Sequence, residues 1–224
     1  MITRVVVFAA AVFLATASTS VAQPKEKIGR FVADARITST GLPIVEGWTP
    51  VVPVRTEVPS RALGIEAGGN IYVATKWPVA VGFGATWMSA RTTTTPPQPA
   101  ETVTTPPPVN TIPDVSTRVT ALTPQLSLNF GHALGWSYIS AGLGRARVNS
   151  QALLAGGATT FTPRASGWVQ AMNFGGGARW LITDHVGVGF DLRWQRLGEV
   201  EAGPTHPGAP RTMVFVAGAG LVLK

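Results

Sequence analysis

Apolar and polar residues alternate with a period of two along most of the chain, and the alternation recurs in eight segments. The first, Ile28–Thr38, sets Phe31, Ala33, Ala35 and Ile37 against Arg30, Val32, Asp34 and Arg36. The second, Ala62–Ala74, sets Leu63, Ile65, Ala67, Ile71 and Val73 against Gly64, Glu66, Gly68, Asn70 and Tyr72. The third, Val79–Ala90, turns Val79, Val81, Phe83 and Trp87 away from Ala80, Gly82, Gly84 and Thr86. In the fourth, Thr117–Phe130, Leu122, Leu126, Leu128 and Phe130 alternate with Thr123, Gln125, Ser127 and Asn129. The fifth, Trp136–Val148, carries Ile139, Ala141 and Leu143 in the parity of Arg145 and Arg147. The sixth, Gly167–Ile182, opposes Met172, Phe174 and Trp180 to Asn173, Gly175, Gly177 and Arg179. The seventh, Val186–Leu197, opposes Val188, Phe190, Leu192 and Trp194 to Gly187, Gly189, Asp191 and Arg193. The eighth, Arg211–Leu223, opposes Met213, Phe215, Leu221 and Leu223 to Val214, Gly218 and Gly220.

Each segment has at least 11 residues. A tilted strand needs about 9–11 to cross a bilayer, whereas strands of soluble proteins average about 5–6. The connections alternate: about 23 residues, then four (Thr75–Pro78), about 26, five (Gly131–Gly135), about 18, three (Thr183–His185) and about 13. A β-sandwich has no reason to keep that order, but a transmembrane barrel does. The prediction is an all-β chain: an eight-stranded antiparallel up-and-down transmembrane β-barrel with short periplasmic turns and long extracellular loops. Seven of the 18 prolines fall in the second long connection, Arg91–Ser116, whose Thr/Pro tract (92–116) cannot join a ladder. Pro124, inside the fourth segment, either costs one ladder hydrogen bond or moves the strand's start to Gln125.

Composition sharpens this reading. Charged residues make up 13% of the 224, about half the roughly 25% of a soluble domain. A charge on a lipid-facing strand position costs about 2–4 kcal/mol at the bilayer midplane, so charge must retreat to the lumen and the loops. The net charge of +7 does not indicate nucleic acid, because the 14 Arg and four Lys are scattered rather than clustered. The absence of Cys excludes disulfides, thiol catalysis and Cys-ligated zinc. Residues 1–22 read as a secretory leader: Arg4, the apolar run Val5–Ala15, and the small-residue cleavage site Ser20-Val21-Ala22. Processing there leaves a barrel domain, 23–224, with 17 basic and 11 acidic residues and a net charge of +6. No further run of about 18 apolar residues predicts a transmembrane helix.

By parity the lumen receives Arg30, Asp34, Arg36, Glu66, Arg179, Asp191 and Arg193. Isolated buried charges are untenable, so these should pair, with Asp34 and Asp191 meeting Arg36, Arg193 or Arg30. Such a network either fills a lumen just wide enough for side chains or lines a gated ion path. A carrier of small apolar molecules would instead show apolar residues inside. The lumen-side glycines ease curvature or leave space, and Gly175-Gly176-Gly177 lacks the Lys-Ser/Thr and helix of a phosphate loop. Catalysis is not expected, since His132 and His185 lie in short turns and His206 in the last long loop, at opposite ends. Asp184-His185 is read as a solvated turn pair. No cofactor or metal site is expected. Trp77, Trp136 and Trp180 near one end and Trp87, Trp168 and Trp194 near the other suggest two interfacial girdles.

The run from Asn173 to Trp194, Asn-Phe-Gly-Gly-Gly-Ala-Arg-Trp-Leu-Ile-Thr-Asp-His-Val-Gly-Val-Gly-Phe-Asp-Leu-Arg-Trp, resembles the penultimate hairpin of the small bacterial outer-membrane β-barrel domain family, the OmpA-like eight-stranded barrels. Tyr138–Gly144 is similar to their fifth strand. The resemblance implies a closed barrel in the outer membrane, contact with its lipid and lipopolysaccharide, insertion by the barrel-assembly machinery, and a structural rather than enzymatic role. A monomer is expected. Two departures stand out: Leu223 and Lys224 occupy the end where the family has an aromatic residue, and no peptidoglycan-binding domain follows, so no cell-wall tether is expected.

Overall fold

A computed structural model describes residues 28–45, 47–49, 58–76, 78–94, 114–153, 164–165, 167–202 and 208–224. The leader, Trp77, His206 and residues 95–113 of the Thr/Pro tract lie outside these residues. The elements are β1 (Phe31–Gly41), β2 (Arg61–Lys76), β3 (Val79–Thr94), β4 (Asp114–His132), β5 (Gly135–Leu153), β6 (Arg164–Ala165), β7 (Val169–Leu181), β8 (Val186–Leu197) and β9 (Thr212–Leu223). Among the described residues, two-residue β6 pairs with the far end of β5, through Asn149↔Ala165 and Ser150↔Arg164. The other eight are long, and each runs antiparallel to both neighbours. β1 meets β9 from Ala33↔Leu223 to Thr40↔Val216, which closes the sheet and leaves no edge among these strands. Closure pairs the backbone polar groups within the sheet, the condition for strands to lie in hydrocarbon.

The wall is apolar on its outer face. Leu126 is 51% exposed, Phe83 54% and Ile139 56%, while Asp34, Glu66, Asp191 and their basic partners are buried inside. A water-soluble barrel would invert that distribution. The turns β2–β3, β4–β5 and β7–β8 are short and share one end with the start of β1 and the end of β9. The long connections leave from the other end, which is therefore the extracellular one.

Several details differ from the sequence-based expectation. β1 begins at Phe31 rather than Ile28, because Ile28 folds into the base of the lumen, 5% exposed. β3 runs on to Thr94 and β4 starts at Asp114, so the second long connection is shorter than 92–116. Their outer ends keep pairing, Thr92↔Thr117 through Thr94↔Val115, since Thr is at home in a ladder. Trp136 is not in a girdle; it points inward, 3% exposed, with its ring edge-on to Tyr72 at 6.4 Å. Arg30 precedes β1 and its side chain is exposed at the rim, outside the lumen. Pro124 stays within β4 opposite Ala85, and the ladder to β5 skips Thr123 and Pro124 between Leu122↔Arg145 and Gln125↔Gly142. A residue without an N–H interrupts one neighbour's ladder and no more.

Candidate functional site

Inward positions of all eight long strands fill the lumen in three layers. At the periplasmic end Ile28, Val32, Tyr72, Ala80, Trp136 and Val222 form an apolar base. The middle layer carries the charge. The extracellular half is richer in apolar residues, built on Met88, Val119, Val148, Leu197 and Val216 with small residues such as Ala121 and Ala146, among which the hydroxyls of Thr40, Thr117 and Ser150 are also buried.

In the middle layer three arginines meet three acids. Arg179 makes a two-pronged contact with Asp34, Nε to Oδ1 at 2.9 Å and Nη2 to Oδ2 at 2.8 Å. Arg36 lies between the acids of its neighbourhood: Nη1 donates to Glu66 Oε1 at 2.6 Å and Nη2 contacts Asp34 Oδ1 at 2.9 Å. Its Nη1 is also 3.9 Å from Asp191 Oδ2. Arg193 holds Asp191 with Nε at 2.5 Å from Oδ1 and Nη2 at 3.0 Å from Oδ2, and donates from Nη1 to Gln125 Oε1 at 2.8 Å. Arg30 takes no part, because water at the rim solvates a guanidinium better than a crowded lumen would. Its absence leaves three positive and three negative side chains, so the layer is neutral.

Tyr138 ties this network together, a role the alternation pattern did not assign it. Its hydroxyl donates to Asp191 Oδ2 and accepts from Arg36 Nη2 at 3.1 Å. The Arg179 guanidinium carbon sits 3.9 Å from the centre of its ring, a cation–π contact. Glycine makes the reach possible. Tyr138, Gly177 and Asp191 form one row across β5, β7 and β8, so the missing side chain in the middle lets the outer two meet. A Cβ at Gly177 would lie 3.0 Å from the Asp191 Cα and 2.0 Å from the Phe190 carbonyl oxygen. In the same way Tyr72 lies over Gly82 and donates to Asn129 Oδ1 at 3.3 Å. The inward glycines therefore admit neighbouring side chains instead of leaving space.

Trp48 closes the extracellular side. It comes from the β1–β2 connection, is 2% exposed, and inserts among the apolar residues of the upper lumen. Its Nε1 donates to the Pro210 carbonyl at 2.7 Å, linking the first and last long connections. The preceding Gly47 has φ +96° and passes so close to Gly208 that a Cβ would lie 2.3 Å from its carbonyl oxygen. The cavity beside Glu66, Asn173, Arg193 and Gln195 measures about 10 Å³, room for one water and not for a hydrated ion.

Other sequence candidates stay apart. His185 is exposed in the β7–β8 turn and His132 ends β4, and among the described residues no group of three or more His, Cys, Asp or Glu could hold a metal.

No family model and no curated protein matches the chain. Solved structures do. Neisserial surface protein A is 12% identical with a TM-score of 0.50, over 88% of this chain and 97% of that one. The chain has the fold of the small outer-membrane β-barrels. The N-terminal β-barrel domain of Pseudomonas aeruginosa OprF is 12% identical over 88% of this chain and 98% of its own, at a TM-score of 0.44. The outer membrane protease OmpT from Escherichia coli is 8% identical over 92% and 99%, at 0.46.

Proposed function

We propose that the protein is exported by its leader, resides in the bacterial outer membrane as a monomeric barrel, and serves a structural or surface-interaction role without catalysis. The observation that carries this reading is the filled lumen. A neutral ionic layer lies between two layers rich in apolar side chains, the upper one capped by Trp48, and the cavity beside Glu66 and Arg193 measures about 10 Å³. The loops are then the surface left for function, as in most barrels whose interior is packed.

The decisive measurement is single-channel recording in planar bilayers on protein refolded into detergent or lipid. A plugged lumen gives no unitary conductance, and discrete ohmic steps would replace this reading with a channel. Membrane residence is checked by slower migration of the unboiled protein on gels and by a β-type circular dichroism spectrum in detergent. A chain that is soluble and folded without detergent would overturn it.

A second reading has one observation in its favour. The extracellular half of the lumen contains a cluster of apolar residues, the marker expected of a carrier for small hydrophobic molecules. In that reading Trp48 occupies the chamber a guest would take. Binding of an apolar fluorescent probe that rises when Trp48 is replaced by Ala would favour the carrier. Unchanged binding favours the plug.

A further inference from the structure

The apolar cluster of the upper lumen is built largely from small side chains. Six of its 14 buried residues are alanines, and five of these, Ala62, Ala90, Ala121, Ala146 and Ala171, stand on strands. Strands joined in a closed ladder cannot draw together. Protein interiors tolerate few voids, so such walls need something bulky between them. Trp48 supplies it, and it comes from the β1–β2 connection rather than from a strand. An apolar chamber of this kind stays dry when emptied and takes up a small aromatic molecule.

The acceptor and the donor of the indole hydrogen bond are anchored differently. The acceptor, the Pro210 carbonyl, follows Ala209, whose N–H and carbonyl both bond to Val200 at 2.9 Å, just past the end of β8. Those bonds hold the acceptor in place whether or not Trp48 is docked. The turn that carries Trp48 is closed on itself. The Trp48 N–H donates to the Val45 carbonyl at 3.1 Å, and Thr49 Oγ1 donates to the same oxygen at 3.4 Å. Such a turn can move as a unit. It is seated through Gly47, whose φ of +96° and close approach to the Gly208 carbonyl both require glycine.

We propose that the upper lumen is a binding site for a neutral, planar aromatic molecule of indole size bearing one N–H donor, and that Trp48 is the tethered stand-in this molecule displaces. The inference rests on the second reading above, in which the upper lumen admits a guest, and it names that guest's chemistry. The flat shape is the one Trp48 fills, and the donor is the one the Pro210 carbonyl accepts at 2.7 Å. Neutrality follows because the cluster contains no charged side chain to pair with an ion. Displacement frees the turn of the β1–β2 connection at the extracellular end, so occupancy inside is reported outside. A docked Trp48 also lowers the guest's apparent affinity, since only undocked molecules are competent to bind.

The test uses the full chain refolded into phosphatidylcholine vesicles, with folding verified by slow migration of the unboiled protein. The chain has no Cys, so a single Ile44→Cys, at an exposed position beside the turn, carries a nitroxide whose mobility reports release. Indole is compared with N-methylindole, which also partitions into lipid but has no donor. Binding is measured in parallel by equilibrium dialysis against protein-free vesicles. The expected result is a saturable gain in mobility with indole, and a half-saturating concentration about tenfold higher or more for N-methylindole, which leaves the carbonyl unpaired. Gly47→Ala, which keeps Trp48 but unseats its turn, should tighten indole binding about tenfold or more. No mobility gain with indole, equal responses to the two compounds, or unchanged affinity in a folded Gly47→Ala protein overturns the proposal. If that variant does not fold, the two compounds on the parent still decide. Trp48→Ala separates the levels: binding both compounds alike overturns the proposal and spares the second reading, whereas binding neither overturns both.

Discussion

At the residue scale, Arg36 and Arg30 differ by six positions and share a parity, yet one is 4% exposed between acids and the other stands in solvent. Their substitutions should separate accordingly. Replacing Arg36 by Met leaves Asp34 and Glu66 short of a buried counter-charge and is expected to cost about 3–5 kcal/mol. Arg30→Gln should stay within about 0.5 kcal/mol. Urea unfolding of the two variants in lipid vesicles, followed by gel mobility, measures the difference; equal midpoints would mean that the ionic layer contributes nothing. Tyr138→Phe removes one hydroxyl that serves Asp191 and Arg36 and is expected to cost about 1–3 kcal/mol in the same assay. The charged members were legible in the sequence because a charge on an inward parity must go somewhere. Tyr138 shares that parity, and the signal that could have found it was the glycine directly opposite it on the neighbouring strand, which only the register reveals.

At the scale of the element, the strands are half lipid-facing and half lumen-facing, and the two faces should respond oppositely to charge. Leu126→Arg, mid-band on the outer face of β4, is expected to cost about 2–4 kcal/mol. Gly177→Leu, on the inner face of β7, is expected to cost about 1–3 kcal/mol through crowding and should abolish the Tyr138–Asp191 contact. Its signature is a loss of near-ultraviolet dichroism from Tyr138 and its neighbours with the strand signal retained, and an unaltered spectrum would count against the row described above. The eight long strands, their alternation and the short–long order of turns were readable from periodicity. Strand ends were not, because Thr92–Thr94 and Asp114–Ser116 look like loop until their partners are known. Trp136 illustrates the same gap: its even position on β5 places it inside with Tyr138, but proximity to a chain turn suggested an interface.

For the whole molecule, the central question is what the interior does. Removing the cap, Trp48→Ala, should leave the planar bilayer silent, because the ionic layer and the apolar base still block the lumen. It should nevertheless lower stability by roughly 3–5 kcal/mol if the upper lumen cannot collapse around the loss. Conductance in this variant alone would make the first long connection a gate. Trp48 itself was beyond sequence reading, since nothing local in a loop reports the distant Pro210 carbonyl that holds it. By itself the sequence determined the sheet, its two faces and the confinement of charge, because a period of two and the cost of charge in hydrocarbon are local constraints. Only the tertiary structure decided which charges balance, which glycines make room, and that apolar layers enclose the ionic one. Those depend on register across the closed barrel, where neighbours in space such as Asp34 and Arg179 are 145 residues apart in the chain.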